Sequence, residues 1–117
     1  MRKLRNFKER LLEDLKDQKY AQIYLSVALE EYEKDRDASS FLTALRDVTE
    51  ARGGITQLAE KTHLNRQNLY KSLSSKGDPK LYTIETVLHG LGYRLSVVPL
   101  NENSIEQPNR YNDQNKK

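Results

Sequence analysis

Residues 55–73, ITQLAEKTHLNRQNLYKSL, constrain the fold of this chain more than any other stretch. Two short apolar-patterned runs, at 56–61 and 66–73, are separated by Thr62-His63-Leu64-Asn65. Two short helices joined so tightly can cross at a steep angle only if their closest contact is small. Ala59 supplies that contact, Leu58 and Leu64 pack beneath it, and Leu69, ten residues after Ala59, plugs the angle from the second helix. This is helix-turn-helix spacing. Asn65 is a good N-cap for the second helix. His63 stands where a positive φ is common, a conformation that histidine tolerates better than most residues with a side chain.

The second helix opens with Arg66, Gln67 and Asn68, followed by Tyr70 and Lys71. Arg reads guanine and Gln or Asn reads adenine through paired hydrogen bonds in the major groove. Base contacts concentrate at the N-terminal end of such a helix. The competing reading is an ordinary helical hairpin with a solvated face, and the distribution of charge argues against it. Residues 61–80 carry five bases (Lys61, Arg66, Lys71, Lys76, Lys80) against one acid (Asp78), a balance of +4. Residues 28–50 carry seven acids and three bases, a balance of −4. One surface therefore attracts phosphate and another repels it.

The remaining chain reads as helices around a small core. Leu4, Phe7, Leu11, Leu12 and Leu15 fall on one stripe of a helix at 4–17. That stripe is expected to cover the core, with docking of a partner protein as the alternative. A second helix spans about 20–33, with Ile23, Tyr24, Val27, Ala28 and Glu31 on one side and Leu25, Leu29 and Tyr32 widening the apolar arc. Asp37 is placed to cap a third helix over 38–51, whose inward face is Phe41, Leu42, Leu45 and Val48 and which Gly53-Gly54 ends. Residues 74–80, SSKGDPK, are dense in turn formers. Thr83 is expected to cap a helix running to Gly90, with Ile84, Val87, Leu88 and Leu91 inward, and Gly92 to stop it. Residues 93–100, YRLSVVPL, alternate with strand period, and Pro99 confines that strand to an edge or an early end. Residues 101–117 are rich in Asn and nearly free of apolar residues, so they read as a disordered tail.

With these elements in place, the stretch 42–99 resembles the addiction-module antidote proteins, which are small helix-turn-helix antitoxins and regulators. They are HigA-like and belong to the wider Cro and phage-repressor class. The matching pieces are ALRDV at 44–48, ARGG at 51–54, QLAEKT at 57–62, LNRQNLYKSLS at 64–74, KGDP at 76–79 and LGYRLSV at 91–97. The likeness extends back to the helix at 20–31 and covers roughly residues 10–99. It implies an all-α, five- to six-helix, lambda-repressor-like domain with one short C-terminal strand. It also implies an antitoxin that binds its own promoter and neutralises a RelE/HigB-type ribonuclease toxin. Position by position, Arg66, Gln67 and Lys71 match base-contacting residues, while Asn65, Asn68 and Tyr70 match residues that contact the backbone or assist. His63 departs from the usual turn glycine, and the basic N-terminal helix and Asn-rich tail extend beyond the usual family core.

The expectation is therefore a cytoplasmic DNA-binding autorepressor with N-terminal helices at 1–36, a helix-turn-helix domain at 37–100 and a tail at 101–117. The alternative is an orphan, prophage-type transcriptional regulator without a toxin; a weaker third reading is a protein-interaction module that kept the fold and lost DNA binding. Thr56, Gln57, Asn65, Tyr70, Lys76 and Lys80 are expected to contact phosphates of a palindromic operator. The strand at 93–98 lacks a strong partner within the chain, so it is expected to pair across a two-fold axis in a homodimer, with Leu88, Leu91, Tyr93, Leu95 and Val97 at the interface; the alternative is a strand paired within the monomer or a frayed extension. No enzyme signal is present. The chain has no Cys, which excludes disulfides and thiolate sites. His63 and His89 have no ligand-like spacing around them, so neither a metal nor a cofactor is expected. No apolar run reaches the roughly 18 residues of a membrane helix.

Overall fold

The computed structural model describes residues 2–100, with side chains from residue 7 onward. The tail at 101–117 and the side chain of Leu4 lie outside the described residues. Six helices form among those residues: α1 (Arg2–Asp14), α2 (Gln18–Asp35), α3 (Ser39–Ala51), α4 (Gly54–Thr62), α5 (Arg66–Ser72) and α6 (Leu81–Gly90). α1 and α2 pack on α3, α3 packs on α4, and α4 packs on both α5 and α6.

α3 is central because its sequence puts Phe41, Leu42, Ala44, Leu45 and Val48 on one broad apolar face, all of them buried. A single core joins these residues to Leu15, Ala21, Leu25 and Ala28 from the N-terminal segment. The same core takes in Leu58, Leu69, Leu73, Val87, Leu88 and Leu91 from the later helices. Each fully buried leucine contributes about 1.5–3 kcal/mol through removal of its side chain from water.

Local chemistry sets the helix ends. Asp17 starts α2 by accepting from the Tyr20 N–H at 2.8 Å, which places the start ahead of the expected Tyr20. Arg36 closes α2 in the left-handed region at φ 60°. Asp37 accepts from both the Ser39 N–H (3.0 Å) and the Ser39 hydroxyl (2.6 Å). The Ser39 hydroxyl, and then its amide, hold the Asp37 carboxyl below its usual range. The formal cap of α3 is nevertheless Ala38, so Asp37 serves the helix from one residue outside it. Gly53 and Gly54 both have positive φ, at 113° and 90°, and they turn the chain from α3 into α4. α6 ends in a Schellman arrangement: Gly92 has φ 98°, its N–H reaches the His89 carbonyl (3.0 Å), and the Tyr93 N–H reaches the Leu88 carbonyl (2.8 Å).

Three expectations are corrected. On α2 the buried face is Ala21, Leu25 and Ala28, while Ile23 and Val27 are exposed. The small alanines let α2 approach α3, and the helix turns its larger β-branched residues outward. Thr83 does not cap α6: the helix begins at Leu81, and Lys80 occupies the cap position in extended conformation without a side-chain bond. Residues 93–100 form no strand, because no ladder partner reaches them among the described residues.

Arginine holds the two ends of the core together. Arg52, at the C-cap of α3, donates from Nε to the Leu15 carbonyl (3.2 Å) and from Nη1 to the Leu91 carbonyl (3.1 Å). Its Nη2 donates to the Tyr93 hydroxyl (2.9 Å), which in turn donates to the Gln18 carbonyl (2.7 Å). The guanidinium thus ties the α1–α2 turn to the end of α6. Between α2 and α3, the Tyr24 hydroxyl donates to Asp47 at 2.7 Å. Burial, followed by that hydrogen bond and the Asp47 charge, pushes the Tyr24 phenol above its ordinary range.

Candidate nucleic-acid interface

α4 and α5 meet as the apolar spacing requires. Leu58 and Leu69 are buried, and Ala59 and Leu64 pack half-buried against the core. The chain between the helices reverses at His63, with φ 61° and ψ 23°. This is the left-handed turn expected of that position. The Thr62 hydroxyl donates to the Leu58 carbonyl (2.8 Å) and accepts from the Leu64 N–H (3.3 Å), closing the end of α4.

α5 is held at both ends. Asn65 Oδ1 accepts from the Asn68 N–H at 3.0 Å, so the carboxamide oxygen of Asn65 is engaged in capping. At the other end, Arg46 of α3 donates from Nη1 to the carbonyl of Leu73, the C-cap residue, and from Nη2 to Thr43 Oγ1 (3.2 Å). Leu69 and Leu73 anchor the inner face. The outer face therefore has a fixed pitch relative to α3 and α4. Arg46 was missed from sequence; a lone arginine within an apolar helix face gives no signal for which carbonyl it will reach.

Every residue expected to touch nucleic acid is exposed: Thr56 and Gln57 on α4, Asn65, Arg66, Gln67, Asn68, Tyr70 and Lys71 on or beside α5, and Lys76 and Lys80 in the loop that follows. The Arg66 guanidinium lies over the Tyr70 ring, 5.3 Å from its centroid. That stacking limits the swing of Arg66 and gives Tyr70 a positioning role beyond the one its phenol suggested. Gln57 lies against Gly53, where a Cβ would overlap its carboxamide. Among the described residues, none of the five bases at 61–80 takes part in an ion pair, so their charge is directed to solvent.

The residues expected at a dimer interface divide into two sets. Leu88 and Leu91 are buried in the chain's own core, and Tyr93 is half-buried with its hydroxyl engaged. Leu95 is 40% exposed and Val97 95% exposed. An open groove runs between α2 and the segment after α6, lined by Gln18, Leu25, Leu29, Phe41, Leu95 and Val98 among others.

Comparison with known proteins gives the chain its relatives. No solved structure matches it. A protein of Haemophilus influenzae, described only as uncharacterized, is 32% identical over 85 residues, which cover 73% of this chain and 82% of that protein. A family model described as "Probable addiction module antidote protein" matches residues 4–99. That match spans most of the sequence, from within α1 to beyond α6, and the chain belongs to this addiction module antidote family.

Proposed function

We propose that this chain is a DNA-binding antitoxin of the HigA-like, Cro-type helix-turn-helix class, without enzymatic activity. It represses its own promoter and neutralises a RelE/HigB-like ribonuclease toxin. The observation that carries the DNA-binding half is α5 itself. It is capped by Asn65, pinned by Arg46 and Leu69, and presents Arg66, Gln67, Asn68, Tyr70 and Lys71 outward from a left-handed turn. The antitoxin half rests on family membership.

In this reading Arg66, Gln67 and Lys71 read base edges in the major groove. Thr56, Gln57, Asn65, Tyr70, Lys76 and Lys80 hold phosphates and set the register. Two copies bind a palindromic operator with their α5 helices about 34–36 Å apart. The segment at 93–98, with exposed Leu95 and Val97, joins them by pairing across the two-fold axis, where its unpaired backbone groups find partners.

Two variants separate reading from positioning. Arg66→Ala should cost about 1–3 kcal/mol on the operator and relax specificity. Lys80→Ala should weaken operator and random DNA alike and lower the salt slope by about 1. Identical behaviour of both variants on specific and random DNA would refute the assignment. Light scattering that shows a monomer at micromolar concentration would refute the dimer.

A further inference from the structure

α2 carries an apolar stripe that its own fold leaves uncovered. Tyr20, Ile23 and Val27 recur at three- and four-residue steps, so they share one side of the helix. They are 44%, 53% and 51% exposed, while Ala21, Leu25 and Ala28 turn the other side into the core. The next turn continues the same side with Glu30 and Glu31, and Glu33 and Asp35 follow before the helix ends; the one base among them is Lys34. An apolar centre beside a charged margin is the make-up of a protein-binding surface. Its negative sign excludes nucleic acid as the occupant, because phosphate is repelled there.

We propose that this outer face of α2 is where the toxin docks, a proposal that rests on the antidote reading above. The choice of occupant follows from charge. A ribonuclease must hold an RNA backbone, so it needs a cationic surface. The Glu30–Glu31 end of α2 complements that surface, and Tyr20, Ile23 and Val27 supply the dehydrated centre that fixes it. α2 packs on α3, whereas α5 packs on α4. Toxin and operator therefore occupy different parts of the molecule, and one chain holds both at once.

The test uses the full chain and, as probes, the products of the genes that flank its own, each co-expressed with it and purified for a complex. Affinity is then measured for Ile23→Ser/Val27→Ser and, separately, for the charge-reversed Glu30→Lys/Glu31→Lys. All four positions are exposed, and melting curves verify that each variant folds. Each pair should weaken the complex about 100-fold. The serine pair should leave operator binding unchanged, and the wild-type complex should weaken as salt rises. Wild-type affinity in both variants would overturn the docking surface while leaving the antitoxin reading intact. Absence of any complex with the wild-type chain would remove the antitoxin reading and this proposal with it. Conversion of a dimer to a monomer by the serine pair would assign the stripe to a second copy instead of a toxin.

Discussion

Replacing Arg52 by Ala removes three hydrogen bonds that join distant parts of the chain: to the Leu15 carbonyl, the Leu91 carbonyl and the Tyr93 hydroxyl. It also removes the guanidinium that lies 5.7 Å from the Tyr93 ring centroid. Hydrogen bonds to a charged group contribute about 1.5–3 kcal/mol each. Arg52 is half-buried, so water partly replaces them, and the expected loss is about 2–4 kcal/mol. At about 4–8 °C per kcal/mol for a domain of this size, Tm should fall by roughly 10–30 °C. Urea melts with an unchanged m-value would show that stability, not compactness, has changed. Arg52→Lys should recover less than half of the loss, because one ammonium cannot span three acceptors held by a planar fork. A loss below about 0.5 kcal/mol, ordinary for a surface position, would refute the idea that Arg52 ties the α1–α2 turn to the end of α6.

Thr49 is buried on α3, and its hydroxyl finds no partner among the described residues. Thr49→Val should therefore stabilise the protein by about 1 kcal/mol, read from the shift in urea midpoint. Gly90 lies where a Cβ would come within 2.7 Å of both Leu58 Cδ1 and Thr62 Cγ2. Gly90→Ala should push α6 from α4 and cost about 1–3 kcal/mol, and an unchanged melting curve would count against that close approach. The Tyr24 phenol is raised above its ordinary value of 10.0, first by burial and then by Asp47. The unfolded chain loses this proton near that value while the folded chain keeps it, so the stability it contributes is intact below that pH and declines as pH rises above it. Tyr24→Phe should cost about 1 kcal/mol at neutral pH and flatten the alkaline decline in denaturant melts. An equally steep decline in the variant would exclude Tyr24 as its source.

How much of this was legible in the sequence depended on whether a residue's role could be read from spacing alone. The inward face of α3 was, because Phe41, Leu42, Leu45 and Val48 repeat at helical steps and are all buried. The reversal at His63 was too, since the apolar residues on either side leave the chain few other ways to turn. α2 was misread because its contact with α3 depends on the small size of Ala21 and Ala28. Alanine carries a weak apolar signal, whereas exposed Ile23 and Val27 carry a strong one. Arg46 and Arg52 were missed for a different reason: three of their acceptors are backbone carbonyls 27 to 39 positions away, and backbone oxygens have no sequence signature. The alternation at 93–98 registers a strand-forming tendency, but a strand needs a neighbour, and none reaches it among the described residues. The exposed chemistry of α5 was read directly from Arg66, Gln67, Asn68, Tyr70 and Lys71. Its mounting by Arg46, and the stacking of Arg66 on Tyr70, required the fold.

The central claim is that α5 reads a particular DNA sequence. Its most direct test is binding of the purified protein to DNA from its own promoter and to random DNA of equal length, each at two salt concentrations. The account predicts that promoter DNA binds about 10³-fold or more tightly than random DNA, and that both affinities fall as salt rises. A folded protein with no preference for its promoter would contradict it.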